Sequence, residues 1–281
     1  MHTIVKKQTL SDDVYKMVVR APAIAASRKP GQFVILMTGD EYAERIPLTI
    51  ADGDEEAGTI TLIFQAVGGS TKQLSLLEEG EAVAHILGPL GQPTEIRQHD
   101  GPVICVGGGI GAAPLFPIVQ ANKEAGNCVI TIIGSRTADL MILEDEMRRY
   151  SDDLILCTDD GSLGRKALVT EPLKELCETS DPSEVVAIGP PIMMKFCAET
   201  TRPYGVHTMV SLNTIMVDGT GMCGGCRVTV GGETKFVCVD GPEFDGHEVD
   251  FDNMMLRQTS YKEQEEHFCN LTAFAEREVN K

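Results

Sequence analysis

The chain has 281 residues, with 42 Asp and Glu against 24 Lys and Arg, and a formal net charge of −18. Such a chain repels nucleic acid and anionic membrane surfaces, so both are excluded as partners while basic protein surfaces are not. Trp is absent and aromatic residues make up 5%, which removes the usual stacking platforms for nucleobases. The length gives room for two domains and a smaller appendage rather than one core.

Residues 1–98 read as short strands separated by turns. Val14–Arg20, Gln32–Thr38 and Thr59–Val67 are rich in β-forming residues, and Ser70–Glu79 has helical character between a Ser/Thr start and Gly80. Closely spaced strands with one short helix predict a small antiparallel barrel. Arg45-Ile-Pro-Leu-Thr49 is expected in a turn after the third strand, where a proline-stiffened backbone can present amides and a hydroxyl to a flat ligand. Val67-Gly-Gly-Ser-Thr71 precedes the short helix, so its amides can serve a phosphate or simply cap the helix.

From 99 to 210 the pattern changes to alternating strand and helix. The apolar run Pro102–Val106 is followed by Gly107-Gly-Gly-Ile-Gly111 and a helix reaching toward Ala125. A glycine-rich strand-to-helix turn lets backbone approach a pyrophosphate at the helix N-terminus, although the G-x-G-x-x-G register is not strict. Cys128–Ile133 ends at Gly134-Ser135-Arg136, Leu154–Cys157 ends before Asp159-Asp160-Gly161, and Val185–Ile188 ends at Gly189-Pro190. Ligands of parallel sheets sit at such carboxyl ends, so the recurrence of Gly, Asp and Pro there predicts a nucleotide site.

Asp218-Gly-Thr-Gly-Met-Cys223-Gly-Gly-Cys226 is answered by Cys238. Four residues separate Asp218 from Cys223 and two separate Cys223 from Cys226, reproducing the C-x4-C-x2-C…C spacing of [2Fe–2S] sites with a carboxylate first. A zinc site of three thiolates and one oxygen is the competing metal reading, and inert buried thiols are the plain one. Arg227–Val230 and Thr234–Cys238 read as a hairpin turning at Gly231-Gly232, and 251–281 as a charged, mostly helical tail able to wrap a partner. Nine cysteines sit in a chain whose first ten residues contain no apolar core of a signal peptide. That combination predicts a reducing cytoplasm, with Cys105, Cys128, Cys157, Cys177, Cys197 and Cys269 as packing residues.

Barrel, nucleotide-binding sheet and cluster loop in this order resemble the ferredoxin reductase-like electron-transfer subunits. These include the subunits of bacterial dihydroorotate dehydrogenase, of sulfide dehydrogenase and of NADH-dependent reduced ferredoxin:NADP oxidoreductase. The dihydroorotate dehydrogenase branch normally has Cys in the first ligand position and the ferredoxin:NADP oxidoreductase branch has Asp, so Asp218 points to the second. The resemblance implies a β-barrel plus α/β architecture: an FAD-binding barrel (1–98), a Rossmann-like NAD-binding domain (99–210), a [2Fe–2S] loop and hairpin (211–250) and a partner-contacting tail (251–281). It implies that Pro47, Leu48 and Thr49 flank the flavin of FAD and that Gly69, Ser70 and Thr71 hold its pyrophosphate, with Gln65 and Gly68 in the same site. It places Ile46 where the family has Arg, with Arg45 one position early. NAD(H) then falls to Gly108, Gly109, Ile110, Gly111, Gly134, Ser135, Arg136, Asp159, Asp160, Gly161, Gly189 and Pro190, and the cluster to Asp218, Cys223, Cys226 and Cys238. The implied partner is a larger flavin and iron–sulfur subunit, in a heterodimer, that handles NADP and ferredoxin.

No acid–base or nucleophile constellation stands out, and none is required where cofactors carry the chemistry. His85 and His207 read as structural. The expected function is electron transfer between NAD(H), FAD and the cluster. A zinc-stabilised nucleotide-sensing module is the non-enzymatic alternative.

Overall fold

The computed structural model of the protein describes residues 2–39 and 43–264. The chain begins with β1 (His2–Ser11), a strand the sequence pattern did not announce, paired antiparallel to β2 (Val14–Arg20). There follow a helical turn α1 (Pro22–Ala25), β3 (Phe33–Met37), β4 (Ile46–Asp54), β5 (Thr59–Gln65), α2 (Gly69–Leu76), β6 (Ala82–Val83) and β7 (His85–Leu90). They form one antiparallel sheet in the order β6-β1-β2-β5-β4-β3-β7. Its two edge strands, β6 and β7, are separated in the chain only by Ala84, so the sheet curls until its edges meet as a nearly closed barrel. Ile4, Met17, Val19, Val34, Leu36, Ile50, Leu62 and Phe64 fill the interior.

One expectation is corrected here. Residues 46–49 do not lie in a turn: Ile46–Thr49 open β4 and pair with β3 as Leu36↔Ile46, Ile35↔Pro47, Val34↔Leu48 and Phe33↔Thr49. Proline is tolerated at the start of a strand, where one missing N–H costs little of the ladder.

The second sheet is built from β8 (Val103–Gly108), α3 (Ala112–Glu124), β9 (Val129–Ser135), α4 (Glu144–Tyr150), β10 (Asp153–Thr158), β11 (Arg165–Lys166), α5 (Thr170–Thr179), β12 (Glu184–Ile188), α6 (Pro191–Thr201) and β13 (His207–Ser211). Strand order is β11-β10-β9-β8-β12-β13, all parallel, followed by β16 (Glu243–Asp245) antiparallel to β13. The chain winds outward from β8 on one side, then returns to wind outward from β12 on the other. The crevice between β8 and β12 is therefore the topological switch point, where open α/β sheets take their ligands.

Beyond it, β14 (Arg227–Val230) and β15 (Glu233–Phe236) form the hairpin expected at Gly231-Gly232. The second strand stops two residues early. Cys238 belongs to a one-turn helix α7 (Val237–Asp240), whose first turn is tied back by the Phe236 amide donating to Asp240 Oδ2 at 2.6 Å. Then come β16 (Glu243–Asp245) and α8 (Phe251–Gln258), capped by Asp250 accepting from the Asn253 amide at 3.0 Å. The helical expectation for 251–281 is met over α8; Phe268, Cys269 and everything after residue 264 lie outside the described residues. Among the described residues no helix is long and apolar enough to cross a membrane.

The barrel docks through two of its faces. On β5, Ile60, Leu62 and Phe64 point into the barrel while Ile63 joins Val14 and Ala51 in the core beneath α3, which is why that strand is buried on both sides. On β3, Phe33 and Ile35 join the core that holds Cys226, Val228, Val237 and Cys238. The segment after the barrel completes the junction: the Gln92 amide donates to the Gly241 carbonyl at 2.7 Å, and Thr94 Oγ1 donates to Glu243 Oε1 at 2.6 Å.

Burial pushes the Glu243 carboxyl up to about 7, with Glu184 adding to the rise and the Thr94 bond opposing it. The folded chain thus holds this proton more tightly than the unfolded chain, where a glutamate titrates near 4.5. The stability contribution is fully present below pH 4.5 and is lost as pH rises through 7, by at most about 3 kcal/mol. Glu243→Gln, which keeps the acceptor for Thr94 without the charge, is expected to flatten the fall in melting temperature between pH 5 and pH 8; an unaltered pH profile contradicts this.

Candidate cofactor sites

The cluster loop takes its shape from its glycines. Gly219, Gly221 and Gly224 all have positive φ, and a Cβ on Gly219 would lie 2.5 Å from Ile35 Cγ1. Only glycine lets the loop reverse direction while resting on β3. The four candidate ligands arrive as two pairs. Cys223 Sγ donates to Asp218 Oδ1 at 3.1 Å on the outer side, and Cys226 Sγ and Cys238 Sγ are 3.3 Å apart in the buried interior. A metal with sulfur bonds of about 2.3 Å and tetrahedral angles spans sulfurs about 3.8 Å apart, so the inner pair is within about half an ångström of a bidentate grip. Among the described residues, no three His, Cys, Asp or Glu groups stand at single-ion spacing.

Hydrogen bonds fix each donor. Asp218 Oδ2 accepts from Thr220 Oγ1 at 2.8 Å and from the Met222 amide at 3.0 Å, contacts that the Asp-x-Thr pattern makes local. The Cys223 hydrogen bond first, then Thr220 and the Met222 amide, hold the Asp218 carboxyl at about 2. The Gly225 amide reaches Cys223 Sγ at 3.4 Å and the Cys238 amide reaches Cys226 Sγ at 3.5 Å. Burial, then the bond from Cys226, pushes the Cys238 thiol up to about 12. A thiol so placed ionises only beside a strong positive charge, which is what a metal supplies.

The proposed flavin edge shares a face with this loop. Residues directly opposite in an antiparallel ladder point to the same side, so Pro47 and Thr49 lie on the face of Ile35 and Phe33. Ile46 and Leu48 turn into the barrel, which leaves Leu48 only its backbone to offer. The loop at Gly219 therefore sits on the strand immediately beside Pro47. Gln65 ends β5, and Gly68 caps α2. Thr71 Oγ1 accepts from the Gly68 amide and donates to its carbonyl, each at 3.0 Å, while Ser70 donates to Glu44. The amides of Gly69, Ser70 and Thr71 open the helix and have no carbonyl one turn earlier to bond, so they can receive an anion.

The remaining candidates converge on the carboxyl edge of the parallel sheet. Gly108 pairs with Gly134, Gly107 with Ile188, and Ser135 with Thr158. A Cβ on Gly111 would meet the Ile188 carbonyl oxygen at 2.3 Å, and one on Gly108 would meet Met193 Sδ at 2.3 Å. These two glycines close the turn against the segment from Gly189 and Pro190 into α6. Gly109 differs: its φ is +55° and a Cβ there meets nothing within 4 Å, so its backbone borders open space at the switch point. Ile110 follows it in the same turn, half-buried. Arg136 and Asp159 are exposed. Asp160 Oδ1 accepts from the Ser162 amide at 3.0 Å and from Ser162 Oγ at 2.6 Å, tying its own loop, and Gly161 adopts φ +81° against Lys166. Met193, four residues on from Gly189 at the start of α6, plugs the space between Gly108 and Gly189, and sequence reasoning missed Ile35 and Leu90, against which the cluster loop packs; no local signal marks an apolar residue as the seat of a distant loop.

Residues 213–250 match the family model described as the iron–sulfur cluster binding domain of dihydroorotate dehydrogenase B. A Thermotoga maritima protein described as a homolog of the dihydroorotate dehydrogenase B (NAD(+)) electron transfer subunit is 48% identical over 265 residues, covering 94% of this chain and 93% of its own. The chain belongs to this family of electron-transfer subunits. The Bacillus velezensis member, described as the dihydroorotate dehydrogenase B (NAD(+)) electron transfer subunit, is 32% identical over 255 residues, covering 88% of this chain and 97% of its own. A chain of the solved NADH-dependent reduced ferredoxin-NADP oxidoreductase, a flavin-based electron-bifurcating enzyme, superposes with a TM-score of 0.89 at 47% identity, over 95% of each chain. The ferredoxin reductase of carbazole 1,9a-dioxygenase, at 17% identity and a TM-score of 0.60 over 73% of this chain, shares the fold. As members of this family are flavin and iron–sulfur oxidoreductase subunits, the zinc and inert-thiol readings of the loop give way to the cluster.

Proposed function

We propose that this chain is the electron-transfer subunit of a flavin-based electron-bifurcating, NADH-dependent ferredoxin:NADP oxidoreductase, moving electrons between NAD(H), FAD and a [2Fe–2S] cluster and on to a larger subunit. The observation that carries this reading is the seating of the Asp218 loop on β3, one strand from Pro47, in a chain that superposes on such an enzyme over 95% of its length. A nicotinamide exchanges two electrons as hydride, a cluster exchanges one, and a flavin converts between the two.

The chain's own residues supply binding and orientation. Pro47 and Thr49 present one side of the β3–β4 ladder to the flavin ring, with Gln65 at the adjacent strand end, and the amides of Gly69, Ser70 and Thr71 take its pyrophosphate. Gly108–Gly111 bring backbone to the NAD(H) pyrophosphate, with Gly134–Arg136, Asp159–Gly161, Gly189 and Pro190 along the same edge. Asp218 and Cys223 would hold the cluster from the exposed side, and Cys226 and Cys238 from the buried side. The corresponding units are 1–98 for FAD, 99–210 for NAD(H), 211–250 for the cluster and 251–281 for the partner.

The larger flavin and iron–sulfur subunit, which handles NADP and ferredoxin, docks over the outer pair. Val217 and Tyr261, which line the cleft with Cys223, are 51% and 55% exposed, and Met222 next to Cys223 is 89% exposed, apolar surface that a partner covers. The complex belongs in a reducing cytoplasm.

The native protein is expected to purify brown, with FAD and about two irons per chain, together with a larger flavoprotein. A colourless protein containing zinc contradicts the reading. A brown protein that pairs with a dihydroorotate-oxidising core instead redirects it to the other branch of the family.

A further inference from the structure

Two arginines hold the cluster loop, one from β14 and one from α8. Arg227, directly after Cys226 on β14, donates through one guanidinium nitrogen to the Gly224 carbonyl at 3.0 Å. Arg257, in the last turn of α8, donates to the Gly225 carbonyl at 3.3 Å. The two carbonyls belong to the pair of residues between Cys223 and Cys226. Both side chains line a cleft of about 430 Å³ that also contains Cys223 and Tyr261. Four other arginines are matched to carboxylates, Arg28 to Asp52, Arg97 to Glu95, Arg148 to Glu144 and Arg165 to Glu175, while Arg202 donates to the His247 carbonyl. Among the described residues, the hydrogen bonds of Arg227 and Arg257 go to neutral carbonyls of the loop, which sets their positive charge beside the candidate ligands.

That charge has a direction. Cys226 and Cys238 are buried among apolar side chains, whereas Cys223 is exposed and lines the cleft together with Arg227 and Arg257. An electron added to a cluster bound by four anionic ligands raises its negative charge, and a nearby cation stabilises the reduced state more than the oxidised one. Arg257 adds a mechanical link, since α8 ends beside the surface where the partner is placed.

We propose that Arg227 and Arg257 are positioning residues that clamp the Gly224–Gly225 backbone and raise the cluster's reduction potential, favouring electron residence on the Asp218/Cys223 side. This rests on the cluster reading of the loop and adds to it the chain's means of setting the potential.

The test is a redox titration of the native complex, following the cluster by electron paramagnetic resonance, in Arg257→Gln, Arg257→Lys, Arg227→Gln and Arg227→Lys. Only loaded cluster gives the signal, so partial loss of iron leaves the midpoint readable. Each Gln variant is expected to lower the potential, by an amount approaching tenfold in the one-electron equilibrium, about 59 mV, and each Lys variant to restore most of it. Gln variants with the native midpoint overturn the proposal. So does loss of the cluster in all four variants, which reduces the arginines to structural supports. A wild-type complex with no cluster signal overturns instead the reading on which the proposal rests.

Discussion

Asp218→Ala is expected to shorten the lifetime of the [2Fe–2S] cluster by at least about tenfold and to shift its resonance signal, because one iron then loses a protein ligand to water. The carboxylate is already ionised and aimed: Thr220 and the Met222 amide hold one oxygen, and the other faces Cys223 Sγ at 3.1 Å. A carboxylate keeps the charge of a thiolate while being a harder, weaker donor. Asp218→Cys should therefore retain the cluster with a spectrum closer to that of an all-cysteine ferredoxin. Iron content, visible absorption and electron paramagnetic resonance of the two variants decide the matter. An Asp218→Ala protein with native spectrum and cluster lifetime removes Asp218 from the ligand set.

Gly109 and Gly111, two residues apart, should fail in different ways. A Cβ on Gly109 points into open space at the switch point, so Gly109→Ala should strain the turn by about 1 kcal/mol and weaken NADH binding by about tenfold through lost backbone approach, leaving FAD and iron content unchanged. Gly109→Val, with a β-branched side chain at φ +55°, should do so more severely. A Cβ on Gly111 instead collides with the Ile188 carbonyl at 2.3 Å, and Gly111→Ala should destabilise the fold by about 2–3 kcal/mol, read as a lower melting temperature. Unchanged NADH affinity in Gly109→Ala would move the nucleotide away from this turn, and a native melting temperature in Gly111→Ala would deny the close packing.

The periodic parts of the fold were legible because periodicity reports burial directly. The strands at 103–108, 129–135, 153–158 and 184–188 are apolar runs closed by Gly, Asp or Pro, and parallel strands buried on both faces read this way. The cluster loop was legible because ligand spacing is itself a local signal. Two expectations missed for physical reasons. Proline at 47 suggested a turn, yet strand starts tolerate it, and the pairing with β3 is a long-range fact. The alternation of Thr234–Cys238 predicts a strand ending at Cys238, but the short α7 forms there and turns the sulfur inward beside Cys226. The strand β1, half polar along its length, gave too little alternation to declare itself before its partners were known. Least legible was the seating of one unit on another: the contact of Gly219 with Ile35 joins residues 184 positions apart, and it is this contact that sets the loop of Asp218 and Cys223 beside the strand of Pro47.

The central claim is that one chain holds a continuous path from nicotinamide through flavin to cluster. It is tested most directly by anaerobic titration of the native complex with NADH, followed at once by visible absorption and electron paramagnetic resonance. The account predicts that flavin absorbance bleaches and a reduced [2Fe–2S] signal grows with it, and that Gly109→Ala requires more NADH for the same effect. A flavin that bleaches while the cluster stays oxidised, or a cluster reduced far better by NADPH than by NADH, contradicts it.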